Sequence, residues 1–287
     1  MKFALYLGCT IPALEYAIEA QIRNVLPKLG IELIDIPHAG CCGTPMRSVD
    51  QTAWMTMAAY NLSLAEEMGL DLLAPCNGCA LTFNEVNHIF HKTPEKLDLV
   101  NKHLKSEGYH YSGNTKVESL LSLLHDRIGV KKLRKYVKKP LKNLKFASHL
   151  GCHIIRPSRE PVTYDDPEHP TKLDGIIRAL GAKASDYPGK VDCCGLPIVA
   201  MYPEMAMSLA YNKIKTVKER KFNGIVTVCG LCQMMLASKQ PAIMREFKDE
   251  SGMLPVLTIL ELIGYALGMS GDELGVQYNR TPPIPIK

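Results

Sequence analysis

Apolar residues fall in short runs separated by longer stretches of helical spacing. Lys2–Gly8 (KFALYLG) reads as a short, largely apolar strand ending in Gly-Cys. Pro12 and Glu15 open a helix whose spacing extends over Ala13–Leu29, with Gly30 as its stop. Ile31–Ile36 reads as a second strand and Asp50–Met68 as a helix rich in Ala, Met and Leu, stopped by Gly69. Asp71–Ala74 is a third strand, followed by a helix to about Phe90. Pro94–Tyr111 is more polar and helical in its first turns, and Asn114–Gly129 pairs a short strand with a helix. Strands alternating with helices predict a mostly parallel sheet. In such sheets ligands collect beyond the carboxyl ends of the strands.

The pattern then restarts. Lys145–Cys152 (KFASHLGC) mirrors Lys2–Cys9 (KFALYLGC), and Lys190–Pro197 (KVDCCGLP) mirrors His38–Pro45 (HAGCCGTP). Cys229-x-x-Cys232 mirrors Cys76-x-x-Cys79, and Ala210-Tyr211-Asn212 mirrors Ala59-Tyr60-Asn61. The expected architecture is α/β: two similar Rossmann-like domains from an internal duplication, residues 1–140 and 141–287, related by a pseudo-twofold axis. Three segments fall outside the repeat. Lys131–Lys145 is the most basic run, read as a solvated helix end and interdomain connection. Arg156–Lys172 carries four prolines and reads as a stiff surface loop, and Gln277–Lys287 as an extended arm.

Composition narrows the class. A chain of 287 residues, 46% hydrophobic and 22% charged, suits a globular protein with two cores. No apolar run reaches the ~18 residues a membrane span needs. The start of the chain runs straight into a strand pattern without a signal sequence, so a cytoplasmic location is expected. The net charge of +5 is too small to argue for nucleic acid, and suits anionic small substrates or an acidic partner.

The ten cysteines carry the chemistry. In a reducing compartment clustered cysteines point to metal before disulfide. Each repeat has one lone cysteine, one CCG and one C-x-x-C, all on strand-end loops, and none is left over. Adjacent thiols do not form an ordinary disulfide with each other. They can face one metal centre across a tight turn, which the following glycine permits. Five thiols exceed the four ligands of a structural zinc site, and the common ferredoxin run is absent. Soft thiolates favour an unusual iron–sulfur cluster. A sulfur-rich zinc site and a redox dithiol relay remain as alternatives.

The series Cys9, Cys41-Cys42-Gly43, Cys76-x-x-Cys79 and its repeat resembles the cysteine-rich CCG domain, specifically the B-subunit family of the heterodisulfide reductases of methanogenic archaea. The resemblance covers essentially the whole chain. It implies two non-cubane [4Fe-4S] clusters, one on Cys9, Cys41, Cys42, Cys76 and Cys79, the other on Cys152, Cys193, Cys194, Cys229 and Cys232. Zinc in one site is the alternative. It implies reduction of the coenzyme M–coenzyme B disulfide to two thiols by homolytic cleavage between the clusters. The partners it implies are the iron–sulfur C-subunit and the flavin-containing A-subunit of such a reductase, with a hydrogenase or formate dehydrogenase as ultimate donor.

Disulfide reduction takes two electrons and two protons, and a simple cluster passes one electron at a time, so two facing centres suit it. His153, next to Cys152, is the candidate for proton delivery, and a hydrogen bond to cluster sulfur or backbone is the structural alternative. Arg47, Arg156, His38 and His149 are candidates for holding an anionic substrate. CCG domains also occur in electron-carrier subunits of quinone-linked and of lactate- or glycolate-oxidising systems. A zinc-stabilised assembly subunit is a rival from another class. Colour separates it: an anaerobically purified brown protein with several irons per chain supports clusters, and a colourless protein with zinc alone removes the enzyme reading.

Overall fold

In the first half of the chain the strands are β1 (Lys2–Leu5), β2 (Glu32–Asp35), β3 (Leu72–Ala74) and β4 (Val117–Ser119), all parallel in the order β2-β1-β3-β4. In the second they are β5 (Lys145–His149), β6 (Lys183–Ala184), β7 (Gly224–Thr227) and β8 (Val256–Thr258), parallel in the order β6-β5-β7-β8. This computed structural model describes residues 1–158 and 163–284. The duplication is therefore one of topology as well as sequence. In each sheet the order reverses beside the first strand, between β1 and β3 or between β5 and β7, and loops at such a reversal form a crevice.

The helices of the first half are α1 (Thr10–Leu14), α2 (Tyr16–Val25), α3 (Gln51–Glu67), α4 (Asn77–Lys92), α5 (Pro94–Ser106), α6 (Leu120–Ser122) and, after a π-helical turn over Leu123–Gly129, α7 (Val130–Tyr136). The second half supplies α8 (Cys152–Ile155), α9 (Lys172–Ala179), α10 (Pro203–Glu219), α11 (Gly230–Gln233), α12 (Gln240–Glu246) and α13 (Ile259–Ala266). The long helix after β2 starts where Asp50 caps it, its Oδ1 accepting from the N–H groups of Thr52 and Ala53.

The described residues form three apolar cores. One belongs to the first half and centres on Trp54, Phe83 and Phe90, and a second belongs to the second half around Ile214, Phe222 and Met235. The third lies between the sheets and draws on both halves, with Leu5, Ile22 and Leu121 meeting Phe146, Ile176 and Leu260. Packing across this middle layer is reciprocal. α2 lies on α13, and α9 lies on α7 and the π turn, so each half's closing helices cover the other half's opening helix.

Four expectations change. The helix expected over Ala13–Leu29 breaks at Glu15, which is only 7% exposed and accepts a hydrogen bond from Ser238 Oγ of the second half at 3.1 Å. The polar stretch after Pro94 is helical through Ser106. The basic run is not merely solvated: Leu133 is buried, α7 packs on α9, and the Lys138 and Lys139 N–H groups donate to Ala266 O. The C-terminal arm is docked as far as it is described, with Thr281 Oγ1 accepting from Val256 N at 3.2 Å and Ile284 buried. Residues 285–287 of that arm, and 159–162 of the proline-rich loop, lie outside the described residues. No described helix is long and apolar enough to cross a membrane.

The middle layer also holds two carboxyls that burial pushes up to about 7, Glu15 and Glu261. Glu261 accepts from Asn279 Nδ2 at 2.9 Å and lies beside Gln21, itself bonded to Thr258 and Leu274. Between the ordinary carboxyl range and pH 7 the folded chain holds protons that the unfolded chain has released. This contribution is therefore present at low pH and fades as pH rises to 7. Thermal melts from pH 5 to 7.5 should show a declining stability, on the order of 2 kcal/mol per carboxyl. Glu261→Gln should flatten that decline; an unchanged profile would contradict it.

Candidate metal centre

Every cysteine sits where β1, β2, β3 or their counterparts β5, β6, β7 give way to loop or helix. Cys9 follows β1, Cys41 and Cys42 follow β2, and Cys76 and Cys79 flank the start of α4. These five thiols line one cavity of about 170 Å³, closed by Leu7, Thr44, Pro45 and Leu231. Leu231 belongs to the C-x-x-C of the second half. In that half the ring nitrogen of His149 and the sulfurs of Cys194 and Cys232 lie within 4.8 Å of one another.

Two glycine devices make room for the sulfurs. Gly43 and Gly195 take φ of +88° and +91° and press against the following helix, so that a Cβ would meet Trp54 O at 2.9 Å in the first half and overlap Ala206 O in the second. The glycines before the lone cysteines do a second job. A Cβ on Gly8 would lie 3.2 Å from Cys79 Sγ, and one on Gly151 3.1 Å from Cys232 Sγ. The first device is visible in the CCG motif. The second is not, because it depends on a loop far along the chain.

The two sets meet. α1 packs on α11 and α8 on α4, so each C-x-x-C helix starts against the helix that follows the other half's lone cysteine. Asn77, between Cys76 and Cys79, is buried and donates from Nδ2 to Leu150 O at 2.7 Å. The thiols of Cys76 and Cys229 are hydrogen-bonding neighbours across the boundary.

Hydrogen bonds among the thiols pull some of them down and push others up. Hydrogen bonding from Cys79, then from Thr44, pulls Cys42 down to about 6. Hydrogen bonding from Cys152 and Cys194 pulls Cys193 down to about 2. Cys232 and Cys76 together hold Cys229 well below its ordinary value. The donors Cys76, Cys79, Cys152 and Cys232 are raised accordingly. Clustered, mostly buried sulfurs, several of them with lowered pKa, and an apolar wall suit a metal or iron–sulfur group.

His153 directly follows Cys152 in the chain. It is half-buried, and its Nδ1 lies 3.6 Å from where a Cβ on Gly78 would stand, so the ring rests on the Cys76–Cys79 turn of the opposite half. The four anion-holding candidates stand in different surroundings. Arg47 donates to the buried Glu85 at 2.7 Å and stands over Trp54. Arg156 Nη1 donates to the carbonyls of Ile155 and Pro167. His38 is exposed, does not line the cavity, and its carbonyl accepts from Tyr60 OH. His149 is 1% exposed, and burial, reinforced by Lys213, lowers it to about 3, so it is neutral and shut off from a substrate in solvent.

The Ala-Tyr-Asn pairing is corrected. One offset of 152 residues relates Cys41 to Cys193 and Gln51 to Pro203 at the starts of α3 and α10. Asn61 therefore corresponds to Lys213, and Asn212 is exposed. The sequence suggests helix packing for Asn61, with a hydrogen bond near the site as the alternative. It does both, accepting from Gly40 N at 2.9 Å and donating to Cys41 O at 3.1 Å. Sequence reading missed Tyr6, whose OH donates to Gly40 O at 2.7 Å, together with Asn77 and Lys213.

The cysteine-rich CCG domain family matches residues 3–84 and again 146–237. The chain belongs to the CCG domain family. This CCG protein is 33% identical over 282 residues to the B-subunit of the ferredoxin/F420H2-dependent CoB-CoM heterodisulfide reductase of Methanosarcina acetivorans, covering 97% of this chain and 93% of that protein. It is also 33% identical to the 8-methylmenaquinol:fumarate reductase membrane anchor subunit of Wolinella succinogenes, covering 97% and 96%. The glycolate oxidase iron-sulfur subunit of Escherichia coli matches at 26%, covering 80% of this chain and 52% of that protein. The crystal structure of a hypothetical protein from Helicobacter pylori shares the fold, with a TM-score of 0.80 at 14% identity. That match covers 98% of this CCG chain, which spans about half, 52%, of the longer protein.

Proposed function

We propose that this CCG protein is the catalytic subunit of a heterodisulfide reductase, cleaving the coenzyme M–coenzyme B disulfide. The observation that carries the reading is the meeting of the two cysteine sets at Cys76 and Cys229, which brings two centres to one boundary. Identity to the Methanosarcina protein over nearly the full chain supports it. Cys9, Cys41, Cys42, Cys76 and Cys79 would hold one non-cubane [4Fe-4S] cluster. Cys152, Cys193, Cys194, Cys229 and Cys232 would hold the other. The domains they define divide at about residue 140. When bound, these groups supply one electron each.

The chain's residues do the rest. RSSR′ plus two electrons and two protons gives RSH and R′SH, the electrons arriving from an iron–sulfur partner protein fed by a flavin-containing one. His153, seated on the opposite half's turn, hands one proton to one product thiolate, and the other thiolate takes its proton from solvent on release. Leu231 and Leu7 keep the cavity wall apolar, which holds water off the reacting sulfurs. The cysteines act as ligands and not as nucleophiles. The purified complex with reduced viologen and the heterodisulfide should turn over, and Cys193→Ser should bring the rate to background while the first set keeps its iron. No turnover with intact clusters, or a trapped substrate–cysteine mixed disulfide, would sink this mechanism.

A second reading is an electron-carrier role. The equal identity to the Wolinella fumarate reductase protein favours it. In that case the complex passes electrons between its other subunits and leaves the heterodisulfide intact.

A further inference from the structure

The two halves share a sheet topology but differ in what surrounds their cysteine sets. Matching Cys9 to Cys152 places His149 where the first half has Tyr6. Tyr6 has a structural task, since its hydroxyl ties strand β1 to the CCG loop through Gly40 O. In the second half that tether is made from the other side. Tyr187, on the loop leading to the second CCG, donates to Ser148 O of β5 at 2.9 Å. Position 149 is thereby released from tethering.

His149 is 1% exposed, and neither ring nitrogen has a hydrogen-bond partner among the described residues. A neutral imidazole always carries one donor and one acceptor nitrogen. Leaving a buried polar group unpaired costs about 1–3 kcal/mol. The ring nonetheless lies within 4.8 Å of the Cys194 and Cys232 sulfurs, on the side where the second set gathers. Beside it Lys213, 4% exposed, takes the place of Asn61 and donates to the carbonyls of Gly189 and Lys190. An uncharged amide in one half is a buried ammonium in the other.

We propose that His149 donates its N–H to a sulfur of the metal centre held by the second set, and that this centre is in consequence easier to reduce than the first. The inference rests on the reading that both sets hold iron–sulfur groups. Hydrogen bonds to sulfur and nearby positive charge both stabilise the reduced, more negative state of such a group. The two centres are then made unequal by their surroundings, and the second is the first to fill as electrons arrive. His149 is a positioning residue for that centre, distinct in role from the proton donor His153.

The test uses the holoprotein carrying 15N-labelled histidine, with both centres followed by EPR and ENDOR during a redox titration. The second centre's signal is identified by its loss in Cys193→Ser. The wild type should show a histidine nitrogen coupling on that signal, and the second centre should reduce at the higher potential. In His149→Phe the coupling should vanish and that potential should fall, with the first centre's potential unmoved. His149→Gln, which keeps an N–H, should fall less. Full iron with both potentials unmoved in His149→Phe, or no histidine coupling on the second centre in the wild type, would overturn the inference alone. A second set holding no iron would overturn it together with the proposed function. Should His149→Phe lose iron, His149→Gln decides: loss of the histidine coupling there supports the inference, and its persistence overturns it.

Discussion

Gly195→Ala is expected to empty the second cysteine set while the first stays loaded. Gly195 has φ of +91°, and a Cβ there would overlap Ala206 O and stand 3.0 Å from Ala206 C. Both atoms are backbone of α10, so no side chain can swing aside. The positive φ alone costs roughly 1–2 kcal/mol for a residue with a Cβ. Overpacking against a fixed helix adds about 1–3 kcal/mol or more. The turn relieves the overlap by opening, which separates Cys193 from Cys194 and from the sulfurs of Cys229 and Cys232. Metal content per chain should fall to about half, with the melting temperature lowered. Gly43→Ala should act in the same way on the first set and more mildly, because its Cβ would meet Trp54 O at 2.9 Å. Full metal content in Gly195→Ala would show that the glycine is not what holds the turn.

Asp174→Ala is expected to be the most destabilising change away from the cysteines. Asp174 Oδ2 accepts from Lys190 Nζ at 2.7 Å, and both side chains are 8% exposed. Lys190 opens the loop that carries Cys193, and its ammonium also donates to Pro170 O at 2.8 Å. Removing the carboxylate leaves a buried cation without its counter-charge. Breaking such a pair costs about 3–5 kcal/mol. The exposed Asp186, 3.8 Å from the same nitrogen, recovers part of this. Urea denaturation should show a lowered midpoint. Asp174→Asn, which keeps an acceptor, should fall between the two. A loss under about 1 kcal/mol would mean that solvent reaches the ammonium.

Much of the site was legible because its signals are local. The CCG turns, the C-x-x-C pairs and the glycine stops depend on residues close in sequence, and their repetition at a near-constant offset betrayed the duplication. Helix α3 was legible for the same reason, with Asp50 at one end and Gly69 at the other. Glu15 shows where this fails. Helical spacing runs through it, yet the helix breaks there to meet Ser238, far along the chain. The partner of Arg47 was hidden for the same reason, because the carboxylate it meets, Glu85, lies one strand and most of two helices away.

The sequence alone determined the fold class, the twofold repetition and the ten thiols on strand-end loops, since hydrophobic period, turn chemistry and cysteine spacing are written along the chain. Only the tertiary structure decided that the halves share a core, that Cys76 faces Cys229, and that His149 stands unpaired beside the second set where Tyr6 is tethered beside the first. Those relations join residues dozens to hundreds of positions apart. They arise when each half buries its opening and closing helices against the other, and no local preference encodes which buried group then finds a partner and which is left for a ligand.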